Sequence, residues 1–95
     1  MNHVQDLEET VISLIASGVP GKFKRTVITR ETQLQKELGL DSLGILALVF
    51  RFEEMFTLDL SKMKIEINVA KLRTVSDVVK AAENILEKAR TVHHA

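Results

Sequence analysis

Apolar residues return at helical spacing in three separate stretches of this 95-residue chain. Only one short stretch alternates as a strand would: Met63, Ile65 and Ile67 are interleaved with Lys64 and Glu66. A lone strand has nothing to pair with, so residues 57–67 are expected to form an extended loop. The first helical stretch covers about residues 3–17, with Val4, Leu7, Val11, Leu14 and Ile15 on one side. Asn2 is placed to cap it, Gln5 to complete a capping box, and Gly18 and Pro20 to end it. The second covers residues 42–56. The last begins at Thr74, where Thr-x-x-Asp reads as a capping box closed by Asp77. Val75, Val78, Val79, Ala82, Ile85, Leu86 and Ala89 form its inner face, and residues 91–95 form a fraying end.

The connections have their own punctuation. Residues 18–31 form a long first connection, which Val27 and Ile28 are expected to anchor. Thr32-Gln33-Leu34-Gln35 reads as a capping box for one short turn, with Leu34 and Leu38 facing inward. Gly39 supplies the left-handed residue that ends that turn. Asn68 is placed to cap a short helix running to Leu72. The expected fold is all-α: a small four-helix bundle of three long helices and one short, with a long first loop. The length fits one domain spanning 1–95, with an ordered core of about 3–90.

Composition removes several functions. The chain has no cysteine, so disulfides, thiolate metal sites and a Cys nucleophile are excluded. Its aromatics are four Phe, with no Trp or Tyr, and its net charge is zero, which argues against nucleic-acid binding. No apolar run reaches the roughly 20 residues of a membrane span. The polar, acidic residues 1–9 do not resemble a signal peptide. These features fit a soluble cytoplasmic monomer. His3, His93 and His94 lie at the ends and do not converge with carboxylates, so no metal site is expected. Glu53 and Glu54 are adjacent on a helix and diverge, so they do not read as an acid/base pair. No glycine-rich phosphate loop is present. No catalytic residue stands out.

The second helix has one apolar side more than folding requires. Ile45, Leu48, Val49, Phe52 and Phe56 make a core face. Leu43, Leu46 and Phe50 make a second stripe on another side, while Arg51, Glu53 and Glu54 mark the wet face. The second stripe is either covered by the apolar loop after Leu60, through Met63 and Ile65, or reserved for a partner. In the first connection, Lys22, Lys24, Arg25, Arg30 and Lys36 outnumber a single acid, Glu31. That run reads as a solvated loop or as a contact patch, with Lys24 and Arg25 at its centre, for an acidic partner surface.

Gly39-Leu40-Asp41-Ser42-Leu43 stands at the mouth of the two-striped helix. Taken alone, Asp41 and Ser42 are ordinary N-cap residues. With its surroundings, the segment resembles the acyl carrier protein family, peptidyl carriers included. The resemblance rests on Leu34, Glu37-Leu38-Gly39, Asp41-Ser42-Leu43, Leu48-Val49, Glu53-Glu54-Met55-Phe56 and Thr74-Val75-Ser76-Asp77, and extends from Val4 to about Ala89. It implies a non-catalytic carrier with phosphopantetheine, derived from coenzyme A, attached to Ser42. Asp41 is implied to be read by the phosphopantetheinyl transferase. The resemblance further implies acyl-loading, acyl-transfer or synthase enzymes as partners. Typical bacterial members are strongly acidic along this helix, whereas here Gly44, Ala47 and Arg51 hold outer positions, and the loop after Leu60 is a few residues longer. These departures point to a carrier for a specialised lipid, fatty-acid or polyketide-type pathway. The alternatives are an amino-acyl or peptidyl carrier, and a helical interaction module without an arm, in which Leu43, Leu46 and Phe50 receive a partner helix.

Overall fold

The computed structural model describes residues 3–92, and side chains from Asp6 to Arg90. The expectations for Asn2, His93 and His94, and for the side chains of His3, Val4 and Gln5, fall outside these. Three α-helices form: α1 (His3–Gly18), α2 (Ser42–Phe56) and α3 (Val75–Val92). Among the described residues there is no strand, only a single bridge between Gln33 and Thr74. The helical stretches thus fall where apolar spacing placed them, α1 to within about one residue, while α3 continues through residues 91 and 92, which were expected to fray.

Helix α3 starts with the expected capping box. Thr74 Oγ1 accepts from the Asp77 N–H at 3.2 Å, and Asp77 Oδ2 accepts from the Thr74 N–H at 3.0 Å. Helix α2 ends in a left-handed Thr57, whose N–H is shared between the carbonyls of Glu53 and Glu54. Helix α1 has no basic residue in its own last turn. Two cations from elsewhere reach its end: Lys24 Nζ donates to the Ala16 carbonyl at 3.1 Å, and the Arg51 guanidinium to Ser17 Oγ at 3.1 Å. Positive charge at the carbonyl end of a helix opposes the negative pole of its dipole.

The expected fourth helix is a single 3-10 turn, Val69–Lys71. Asn68 does cap it, accepting from the Ala70 N–H at 3.1 Å. The turn stops there because Arg73 and Val75 are held elsewhere. The Arg73 carbonyl accepts from the Leu34 N–H at 2.8 Å, and the Val75 N–H donates to the Thr32 carbonyl at 3.1 Å. A second 3-10 turn, Gly21–Phe23, lies in the first connection.

The core lies between the three helices, with α1 packed against both α2 and α3. Val11, Ile15, Val75 and Val79 are almost fully buried, and Ile45, Leu48, Phe52, Ala82 and Ile85 join them. The connections close it. Leu34 and Leu38 are fully buried, as expected, and Leu40, Leu60 and Leu72 are buried as well. Ile28 packs against the core, but Val27 is 80% exposed and anchors nothing. The two are neighbours in irregular chain, where nothing holds both side chains on one side. The expected capping box at Thr32 does not form. Thr32 is buried and its hydroxyl accepts from the Thr29 N–H at 2.8 Å, while Glu37 Oε2 takes the Gln33 N–H at 2.7 Å.

Candidate functional site at the start of the second helix

Asp41 and Ser42 have distinct local roles. Asp41 is the N-cap of α2, with extended backbone, and its carboxylate accepts from the Gly44 N–H at 2.8 Å. Ser42 is the first helical residue, so the cap belongs to Asp41 and not to Ser42. Gly44 makes room for that contact: a Cβ there would stand 3.4 Å from Asp41 Oδ1 and 3.3 Å from Leu40 Cδ2. The side chain of Ser42 is exposed, and among the described residues its hydroxyl has no hydrogen-bond partner.

The approach to Ser42 is fixed by the turn over residues 33–38. The Gly39 N–H donates to Gln35 and the Leu40 N–H to the Leu34 carbonyl, at 3.1 and 2.9 Å. Gly39 has φ of 67°, the left-handed conformation expected of it. A Cβ there would also strike the Phe23 ring at 2.5 Å. Phe23 therefore clamps the first connection onto the turn that delivers Asp41 and Ser42. No spacing rule pairs those two residues, and sequence reading missed the contact.

Beyond Ser42 the outer stripe of α2 is open. Leu43, Leu46 and Phe50 are 75%, 40% and 56% exposed. Met63 and Ile65 do not cover it; they pack against the core instead. Arg51 is exposed but tethered to Ser17, and Glu53 is half-buried with Oε2 accepting from the Leu60 N–H at 3.1 Å. Glu53 is thus a structural acceptor for the following loop and not simply part of a wet face. In the basic connection, Arg30 pairs with Glu8 at 3.2 Å, Lys24 holds the end of α1, and Lys22 Nζ lies 5.2 Å from the Phe23 ring centre. Lys24 and Arg25 are both exposed. Among the described residues no cluster of His, Asp or Glu is arranged to hold a metal, and no helix is long and apolar enough to cross a membrane.

Over 77 residues the chain is 30% identical to an acyl carrier protein of Buchnera aphidicola subsp. Baizongia pistaciae, covering 81% of this chain and 95% of that protein. The chain belongs to the acyl carrier protein family. No family model and no solved structure matches it.

Membership in the acyl carrier protein family implies a phosphopantetheine group, and the residues present fit one. A phosphodiester on Ser42 would need a hydroxyl that is exposed, unengaged and at a helix start. Ser42 has all three properties. Ser42 stands exposed at the edge of the core face, three residues before the buried Ile45. In this acyl carrier family member the group would attach through Ser42 Oγ, with Asp41 holding the helix start in shape. When bound, it would supply the thiol on which a thioester is carried.

Proposed function

We propose that the whole chain acts as one non-catalytic carrier domain, monomeric and cytoplasmic, whose Ser42 bears phosphopantetheine and thereby an acyl group. The observation that carries this reading is the free, exposed Ser42 hydroxyl one residue after the Asp41 cap, in a chain of acyl carrier ancestry. In the loading step Ser42 Oγ forms a new bond to phosphorus. The pyrophosphate bond of coenzyme A breaks, its nucleotide bisphosphate leaves, and the hydroxyl proton passes to a base on the transferase. Nothing in the carrier needs to activate Ser42, because the transferase and its metal ion supply that chemistry. The Asp41 side chain is the nearest fixed feature for the transferase to read.

The exposed stripe Leu43, Leu46 and Phe50 continues from the attachment point, so an enzyme receiving the arm would cover it. Apolar anchors near an interface centre carry much of its energy. Lys24 and Arg25 would meet acidic groups at the edge of that contact and speed association at low salt. The lack of acidic residues at Gly44, Ala47 and Arg51 favours a carrier for a specialised lipid, fatty-acid or polyketide-type pathway over a general one. The cargo is read as acyl, with an amino-acyl or peptidyl group as the second reading.

Peptide mapping tests the attachment. Ser42 is the only hydroxyl-bearing residue in the tryptic peptide 37–51. After incubation with labelled coenzyme A and a broad-specificity transferase, label is expected in that peptide. Label elsewhere would move the site. An unlabelled chain would favour an interaction module whose apolar stripe receives a helix and which bears no arm.

A further inference from the structure

Gly39 stands three residues before Ser42, and the space its own side chain would take is filled from another part of the chain. A Cβ on Gly39 would lie 2.5, 2.9 and 3.2 Å from the Cε2, Cδ2 and Cζ atoms of the Phe23 ring. Phe23 is half-buried and packs against the core, and Lys22 Nζ lies 5.2 Å from the centre of its ring. Its backbone is held on both sides. The Phe23 N–H donates to the Pro20 carbonyl at 2.9 Å, and the Phe23 carbonyl accepts from the Thr26 N–H at 3.0 Å. The next residue, Lys24, ties the same turn to the end of α1 through the Ala16 carbonyl. The ring is thus anchored by contacts of its own segment.

The path from Gly39 to the reactive hydroxyl is short. Leu40 is buried, Asp41 caps α2 by accepting from the Gly44 N–H at 2.8 Å, and Ser42 begins the helix. The dihedral angles of Gly39 set the direction in which those three residues leave the 33–38 turn. Glycine has more backbone freedom than any other residue. The Phe23 ring gives Gly39 the contact that a side chain of its own would make, at a φ of 67° where a side chain would be strained. Without the ring, the most permissive residue of the approach loses its one side-chain contact just ahead of the helix start.

We propose that Phe23 is a positioning residue for the loading reaction: its ring, seated on Gly39, fixes the angle at which Ser42 Oγ is presented to the transferase. The inference rests on Ser42 being the attachment site. In that reaction Ser42 Oγ bonds to phosphorus, the pyrophosphate bond of coenzyme A breaks, its nucleotide bisphosphate leaves, and the hydroxyl proton passes to a base on the transferase. Displacement at phosphorus depends on orientation, and a misplacement of about 1 Å can cost on the order of a hundredfold in rate. Phe23 touches none of the reacting atoms; it acts through Gly39, Leu40 and Asp41. The exposed stripe Leu43, Leu46 and Phe50 lies beyond Ser42 and makes no part of this path. Positioning and docking therefore separate in the kinetics. Loss of a docking contact raises KM, whereas loss of the ring lowers kcat.

The experiment measures loading of the full chain by a broad-specificity phosphopantetheinyl transferase, with carrier concentration varied and intact mass as the readout, on variants shown by circular dichroism to be folded. Phe23→Ala should lower kcat about tenfold or more and leave KM within about twofold. Phe23→Leu, which refills part of the space, should lie between that variant and wild type. If Phe23→Ala does not fold, Phe23→Leu decides by the same split. Gly39→Asn supplies an independent test. Asparagine accepts the left-handed conformation, but its Cβ would press on the ring. Gly39→Asn should therefore slow loading more in the wild-type background than beside Phe23→Leu, where Cε2 and Cζ are gone. A wild-type kcat in the Phe23 variants, a raised KM with kcat unchanged, or an equal cost of Gly39→Asn in both backgrounds would overturn the positioning role and leave the attachment at Ser42 standing. A wild-type chain that gains no mass would overturn both.

Discussion

Asp77 accepts from the N–H groups of Thr74 and Arg73, both at 3.0 Å, at the start of α3. Partial burial pushes its pKa up, but these donors, the Thr74 hydroxyl and the charge of Lys80 together pull it below the ordinary value of 3.8. A carboxylate with a lowered folded pKa adds stability that is fully present above the unfolded pKa, about 3.9, and is lost as pH falls through the folded value. In urea denaturation at stepped pH, the stability difference between wild type and Asp77→Asn should be constant above about pH 5 and shrink under acid. A difference that does not change with pH would remove Asp77 from that role. The Thr74 box was legible because every partner lies within three residues. The same pattern at Thr32 misled, because the bridge from Gln33 to Thr74 and the Leu34–Arg73 hydrogen bond set the backbone there. Those contacts cross some 40 residues of chain, and local pattern carries no trace of them. Asp41 and Ser42 were both legible as cap residues, while the division of labour between them needed backbone geometry.

Helix α2 buries one stripe and exposes another. A helix needs one apolar side to fold, so the exposed Leu43, Leu46 and Phe50 are free to serve a partner. Leu46→Glu should change stability by no more than about 0.5 kcal/mol, as for surface substitutions generally, yet slow modification by the transferase. Reversing Lys24 and Arg25 to Glu should slow association at low salt and have less effect at high salt. Chemical denaturation and transferase kinetics over a salt series check both. Strong destabilisation by Leu46→Glu would mean the stripe is internal, because it would bury an unpaired charge. Kinetics indifferent to both changes would leave the face without a partner. The two stripes of α2 were readable from spacing alone. Which side the long loop would cover was not, because Met63 and Ile65 follow no helical period and their packing onto the core depends on where the chain turns after Thr57.

Three helices alone do not close this core. A chain of this length has little apolar surface to spare, and Leu34, Leu38, Leu40, Leu60 and Leu72 from the connections complete it. Of these, Leu34 and Leu38 were visible as a short turn, whereas Leu40 and Leu60 stand in aperiodic chain where burial has no local signature. Phe52 joins α2 to this assembly, buried and with its ring 4.7 Å from that of Phe56. Phe52→Ala should lower stability by about 3–5 kcal/mol, a large share of a small domain's total, and a loss under about 1 kcal/mol in denaturation would place Phe52 outside the core. What the packed molecule holds out to solvent is Ser42, at a helix start capped by Asp41 and with its hydroxyl unengaged among the described residues. The most direct test is intact mass after incubation with coenzyme A and a broad-specificity phosphopantetheinyl transferase, run on wild type and Ser42→Ala together. Wild type should gain the mass of one phosphopantetheine and the folded variant none; a wild type that gains nothing, or a Ser42→Ala protein that is still modified, would contradict the account.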